Sequence, residues 1–325
     1  MRTALAAFAA LGLMAWHAPK AAAYPDKPVR VIIPYGPGGA TDIITRMVFE
    51  KVSRDLNGNF VVESKPGAHG MLAIREVASA APDGHTMLVG NVTTNSVAPV
   101  LHASVASIDV RKSLIPVTTL ADLPNVMVAT TVNFPPKTWN EIVAYARANP
   151  NKLNYNVAGI GSYGHLDFLA LQQREGFKMT AVPLRTGYGG GTADIIRGDV
   201  HIALMNAATS TPLVKSGQLK PILVSGNTRL DVLPDTPTAK EAGLEGLHPG
   251  AWQALFLPAG TPPELVDRIF KAVVAAVNSD EVKERFAKQF ITPRTAESPA
   301  AFAAWLEADM AAWKKVIDSA NLKVQ

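Results

Sequence analysis

VRVIIPYGPGGATDIITRMVFEKVSRDLN, residues 29–57, opens on a β-branched apolar run from Val29 to Ile33, the pattern of a buried strand. Pro34, Gly36, Pro37, Gly38 and Gly39 then make a turn. After it, Ile43, Ile44, Met47, Val48, Val52 and Leu56 fall on one face at helical spacing. Asn57-Gly58 supplies a stop. Strand, glycine loop and helix in this order set helix-start amides beside backbone that can approach a ligand closely. Those amides and the helix dipole favour an anion, so the loop reads as half of an anion site.

The order recurs. The first pass continues with a strand at 60–63, a Pro/Gly turn, a helix at 71–80, an Asp-Gly turn and a strand at 85–90 that ends in the polar loop 91–96. The second pass has a strand at 152–157, the glycine loop 158–164, a helix at 165–174 and a strand at 179–184. A Gly-rich turn, a short helix at 192–197 and a strand ending at Asn206 complete it. The two passes are offset by about 120 residues with hardly any identity, the mark of two similar α/β halves. If both sheets are parallel, both glycine loops lie at carboxyl ends of strands, where open α/β sheets bind ligands, and two such edges would close around a small molecule. Further strands are expected at 125–130, 220–225 and 251–257, and helices after the capping box Thr138/Glu141 and after Thr261-Pro262-Pro263-Glu264. A last helix begins at Ser298-Pro299, and its Phe302, Trp305, Leu306, Met310, Trp313, Val316 and Ile317 form one apolar face that must dock.

Residues 1–23 read as a secretory signal peptide: Arg2, a short apolar core, then Ala21-Ala22-Ala23 before Tyr24. The apolar run is too short to span a membrane. The chain carries 31 Lys+Arg against 27 Asp+Glu, and the leader holds two of those cations, Arg2 and Lys20. With no basic block beyond Lys314-Lys315, nucleic acid is not an expected partner. There is no cysteine, so the fold needs no disulfide.

Six stretches in order, YPDKPVRVIIPYGPGGATD (24–42), VVESKPGAHG (61–70), APDGHTMLVGN (81–91), AGIGSYGHL (158–166), LPDTPTAKEAGLEG (233–246) and LPAGTPPELVDRI (257–269), resemble the Bug-type (TctC-like) solute-binding receptors of tripartite tricarboxylate transporters. The resemblance covers nearly the whole chain after the leader. It implies an α/β, two-lobed periplasmic-binding-protein-like fold of type II with the ligand cleft between the lobes. It implies a periplasmic, non-enzymatic, monomeric receptor for a small carboxylate, without cofactor or metal, that serves two integral membrane subunits. The expected division is a first lobe of 24–123 with 250–325 and a second of 124–249. Carried over by motif, Tyr35, Gly38, Gly39, Ala40 and Thr41 meet the ligand carboxylate from one lobe and Gly161, Ser162 and Tyr163 from the other, with Thr93, Thr94 and Asn95 facing the cleft. Three positions depart from the family pattern: Tyr35 where Phe is usual, Leu184-Arg185-Thr186 for Tyr-Lys-Gly, and Asn206 for a frequent Asp.

Arg185, at a strand end beside a Gly-rich turn, is a candidate to grip a second carboxylate bidentately, which would select dicarboxylates; the bland alternative is a solvated ion pair. Thr94, Asn95 and Asn206 would read the rest of the ligand. Tyr35, Tyr163, Tyr188 and Trp252 are either core or cleft walls, and several in the cleft would favour an aromatic acid. His165 stands three residues after Ser162 and either touches ligand, donates a hydrogen bond at a helix start or packs in the core. Ser162 lacks the G-x-S-x-G elbow, which argues against a nucleophile. GIGSYG, 159–164, matches G-x-G-x-x-G, but the next strand ends at Leu184-Arg185 rather than in an acid, so a nicotinamide-dependent oxidoreductase is the remote alternative. A sensor subunit for a membrane kinase is the nearer one.

Overall fold

A computed structural model describes residues 24–102, 108–184, 188–226, 228–244, 247, 248 and 250–320. The leader and Arg185 lie outside the described residues.

The first half runs β1 (Val29–Ile33), α1 (Ala40–Asp55), β2 (Phe60–Ser64), α2 (Met71–Ala78), β3 (Thr86–Asn91), a π-helical turn (Thr93–Val97), α3 (Ala98–Leu101), α4 (Val110–Ser113) and β4 (Leu114–Leu123). The second runs β5 (Asn125–Thr130), α5 (Trp139–Ala148), β6 (Asn154–Val157), α6 (Tyr163–Glu175), β7 (Thr180–Pro183), α7 (Tyr188–Arg197), β8 (Ile202–Asn206), α8 (Ala207–Lys215) and β9 (Leu219–Val224). Then come β10 (Ala251–Pro258), α9 (Pro263–Asn278), α10 (Asp280–Ala287), β11 (Thr292–Pro293) and α11 (Pro299–Ser319).

Two sheets result, ordered β11-β4-β10-β3-β1-β2 and β7-β6-β8-β5-β9. Setting β11 aside, the strands match one for one. β1 lies parallel between β2 and β3, as β6 lies between β7 and β8. The condition of wholly parallel sheets is not met: each sheet is mixed. β10 is antiparallel to β3 and β4, and β5 is antiparallel to β8 and β9. The cause is topological. β4 and β9 run toward the cleft; β4 passes directly into β5, and β9 leads through the connection 225–250 into β10, so β5 and β10 each enter at the cleft end and must run away from it.

Strand burial explains the continuous apolar runs. Val29, Val31 and Ile33 enter one core cluster and Ile32 the opposite one, so β1 is covered on both faces. In the second sheet Met127 and Ala129 face one cluster, Val126 and Val128 the other. The apolar face of α11 docks as expected, with Phe302, Leu306, Met310, Trp313 and Ile317 buried beside β10 residues Trp252, Ala254 and Phe256. That cluster also takes in Tyr163 and Leu166 from α6, so α11 bridges the lobes.

The two passages between sheets touch. Leu123 pairs with Ala251, and Gly250 lies so close to the first passage that a Cβ on it would sit 2.1 Å from the Leu123 carbonyl oxygen and 3.1 Å from Pro124 Cα. Its φ of +143° is also closed to L side chains in practice. Gly250→Ala is therefore expected to destabilise the ligand-free protein by roughly 1–3 kcal/mol, measured as a lowered midpoint in denaturant unfolding.

Candidate functional site

At the first lobe's cleft edge, Gly38 takes a positive φ of 80°, and its N–H donates to Asp42 Oδ2 at 2.9 Å. Asp42 Oδ1 accepts from Arg46 Nε at 2.8 Å. The Gly38 amide is thus already engaged. The first intrahelical bond of α1 is Ile43 N–H to Gly39 C=O, so the amides of Ala40, Thr41 and Asp42 precede it and have no partner within the helix.

Three elements are tied together behind this loop. Tyr35 donates its hydroxyl to Asn91 Oδ1 at 2.9 Å, and the same oxygen accepts the N–H groups of Thr93 and Thr94. Thr94 Oγ1 donates to Asn95 Oδ1 at 2.7 Å. Thr41 Oγ1 donates to Gln253 Oε1 at 2.9 Å, and Gln253 pairs with Asn91 across β10 and β3. Tyr35, Thr41, Thr93, Thr94 and Asn95 are therefore one fixed polar unit, with Asn91 and Gln253 at its centre.

In the second lobe, Gly161 has φ +83° and lies where a Cβ would meet Leu101 of α3 at 2.5 Å. The π-turn that carries Thr93 to Asn95 runs straight into α3, so the two lobes' loops meet there. The Gly161 N–H donates to His165 Nδ1 at 3.1 Å, and Ser162 N–H to Gly159 C=O. His165 thus accepts a bond at Nδ1, braces its own loop and is buried with its ring stacked on Tyr155, the core-packing alternative. Burial pushes its pKa down and keeps the ring neutral. Ser162 Oγ is buried without a hydrogen-bond partner, and with Nδ1 taken up by Gly161 no Ser–His pair exists. Gly164 and His165 amides precede the first helical bond, Leu166 N–H to Ser162 C=O.

Tyr163 is held at the junction, its hydroxyl accepting from Asn125 Nδ2 at 2.8 Å. Asn206 pairs with Asn125 across β8 and β5, and its Oδ1 caps α8 by accepting from Thr209 N–H. Trp252 is core, donating Nε1 to Asp309 Oδ2 at 3.3 Å. Among the described residues no three His, Asp or Glu side chains gather to hold a metal, and no helix is long and apolar enough to cross a membrane.

Behind the α6 loop lies a polar cluster that the sequence reading missed. Asp167 of α6 is buried, and its Oδ1 accepts from His248 N–H at 3.3 Å while Oδ2 has no hydrogen-bond partner. His248 Nε2 stands 3.7 Å from Asp309 Oδ1 on α11. Burial pushes the Asp167 carboxyl up to about 7. Burial also opposes the charge on Asp309, but His248 and Trp252 beside it outweigh it and hold that group below its ordinary value. The isolated acid in HLDFLAL was the available signal for Asp167.

A cavity of about 570 Å³ opens elsewhere, lined by Arg147, Gln172, Gly176, Phe177 and Lys178 among others. It sits where α5 and α6 end, and helix C-termini disfavour an anion.

The family model for the receptor of the tripartite tricarboxylate transporters matches residues 44–322. The chain belongs to that family. A UPF0065 protein of Bordetella pertussis is 32% identical over 265 residues, covering 81% of this receptor and 80% of that protein. MatC from Rhodopseudomonas palustris, solved with bound malate, superposes with a TM-score of 0.79 at 31% identity, covering 90% of the receptor and 100% of MatC. Rpa4515 from R. palustris, solved with adipate, gives 0.83 at 29% identity, covering 92% and 99%. The receptor is a Bug-type, two-lobed solute-binding protein of a family that is not enzymatic.

Asp167 has a consequence for stability. Its folded pKa stands above the unfolded value, so the folded state binds the extra proton between about pH 4 and about pH 7, and stability falls as pH rises through that window. Asp309 is shifted the other way, and its contribution is lost only in more acid solution. In denaturant unfolding of ligand-free protein, Asp167→Asn is expected to flatten the decline between about pH 4 and about pH 7 and to exceed wild-type stability above it.

Proposed function

We propose that the chain is an exported periplasmic receptor that captures a small dicarboxylate between its lobes and presents the closed form to two integral membrane subunits. The lobes are taken as 24–123 with 250–325 and 124–249. The observation that carries the reading is the contact of the α6 glycine loop with the first half of the chain, where Gly161 abuts Leu101 at the end of the helix that follows the Thr93–Val97 turn. The first-turn amides of α1, at Ala40 to Asp42, and of α6, at Gly164 and His165, give one carboxylate a set of oriented donors without a formal positive charge. Gly39 and Gly161 let the backbone come close, and Ser162 offers a buried hydroxyl to the same region. Because the ligand touches both lobes, binding favours the closed arrangement over the open one. The neighbours solved with malate and with adipate support a four- to six-carbon diacid.

Thermal melting of the mature protein against aliphatic and aromatic mono- and dicarboxylates tests the reading. A true ligand at about 100 times its Kd adds about 2.7 kcal/mol of stability; a panel in which no acid raises the melting temperature rejects it. Arg185, placed by the sequence beside the second-lobe turn, is proposed to hold the distal carboxylate. Arg185→Ala is expected to weaken dicarboxylates by about tenfold or more, as loss of a charge-assisted pair does, and to leave monocarboxylates unchanged in calorimetric titration.

A further inference from the structure

We propose that capture of a carboxylate at the start of α6 is coupled to uptake of one proton by Asp167. The inference rests on the reading of the α6 glycine loop as an anion site. Asp167 is the fifth residue of α6, so its carboxyl lies about 6 Å along the helix axis from the first turn. It is buried, and one of its oxygens has no hydrogen-bond partner. An ionised carboxylate so placed is poorly solvated and sits close to wherever an anion docks on those amides.

The groups around it come from every packed element. From the passage into β10, His248 gives its backbone N–H to Asp167. From α11, Asp309 lies against His248 Nε2, and Trp313 packs on the His248 ring at 5.1 Å between centroids. From α6 itself, Tyr163 packs on the other side of His248 at 5.8 Å, and His165 is turned to the Gly161 amide. Trp252 of β10 donates its Nε1 to Asp309. His248 thus touches both carboxyls, Asp167 through its backbone N–H and Asp309 through its ring, and Asp309 holds the better set of donors. No Lys or Arg pairs with Asp167 among the described residues.

The sign follows. A bound anion opposes a second negative charge on α6, so the liganded protein keeps Asp167 neutral to higher pH than the free protein does. Between those two values binding takes up a proton, and by linkage affinity falls as pH rises. The buried carboxyl titrating near neutrality places that window in a physiological range. The bridge from α6 through His248 to α11 puts the proton at the contact between lobes, where occupancy and closure meet.

The test uses adipate and malate with the mature full chain. Calorimetry in two buffers of different ionisation heat should show proton uptake approaching one per acid bound, and affinity several-fold weaker, up to about tenfold, at about pH 8 than at about pH 6.5. Infrared difference spectra of the ligand-free protein should show a carboxylic-acid band that titrates near neutrality. Asp167→Asn should lose that band, take up no proton and bind with pH-independent affinity; the wild-type spectra and proton count decide even if this variant does not fold. Absence of the band, or wild-type binding independent of pH, overturns the proposal. So does a pH dependence that survives in Asp167→Asn and disappears in His248→Gln, since the proton then belongs to the histidine. If neither acid binds at any pH while the band is present, the anion-site reading fails and takes the coupling with it, leaving Asp167 as a titrating group alone.

Discussion

The chain passes between its sheets twice, and both passages go through one point. Gly250 presses on the Leu123 carbonyl and Pro124, with no room for a single carbon between them. This contact brings the two connections between the sheets together at a place where two backbones touch. It also explains the mixed sheets. A strand that arrives through such a junction enters from the cleft side, so β5 and β10 run against their neighbours in both halves. The near-identity of the two strand orders then follows from the same path taken twice.

The repeat was legible because its units are local. Val29 to Ile33 followed by glycines and an amphipathic face dictates strand, turn and helix without help from distant residues. The apolar face of α11 was legible for the same reason. Strand β4 was not: Pro116 and the buried Thr118 and Thr119 interrupt its apolar pattern, and Pro116 is accommodated at a register shift against Phe256. The polar segment after β3 read as a loop and is a π-helical turn with Thr94, Asn95 and Ser96 buried. It is held by Asn91, whose Oδ1 accepts the N–H groups of Thr93 and Thr94, and by the Thr94–Asn95 side-chain bond, which no periodicity reveals.

The site divides along the same line. Gly161, Ser162 and Tyr163 were named through the family resemblance, on a loop that a glycine run before a helix already marks as an anion-favouring helix start. Asn91, Gln253 and Asn125 could not be picked out, since each acts by holding another residue across the sheet or across the junction. Asn206 looked like a reader of ligand and is seen capping α8. Asp42 was unremarked, yet it occupies the Gly38 amide and sets how much of the α1 dipole is left for a guest. Two helix starts that look alike in sequence therefore differ in charge: one carries an acid in its first turn, the other braces itself with a neutral imidazole.

The late strand β10 has a consequence for how the chain is made. It lies in the middle of the first sheet, between β3 and β4, yet is encoded after the whole of the second sheet. Until residues 251–258 have emerged, β3 and β4 lack their shared neighbour and the Trp252 and Phe256 side of the core is open. The nascent first half therefore lacks a completed sheet on which to settle. Final assembly awaits the C-terminal quarter, in which α11 seals both lobes together.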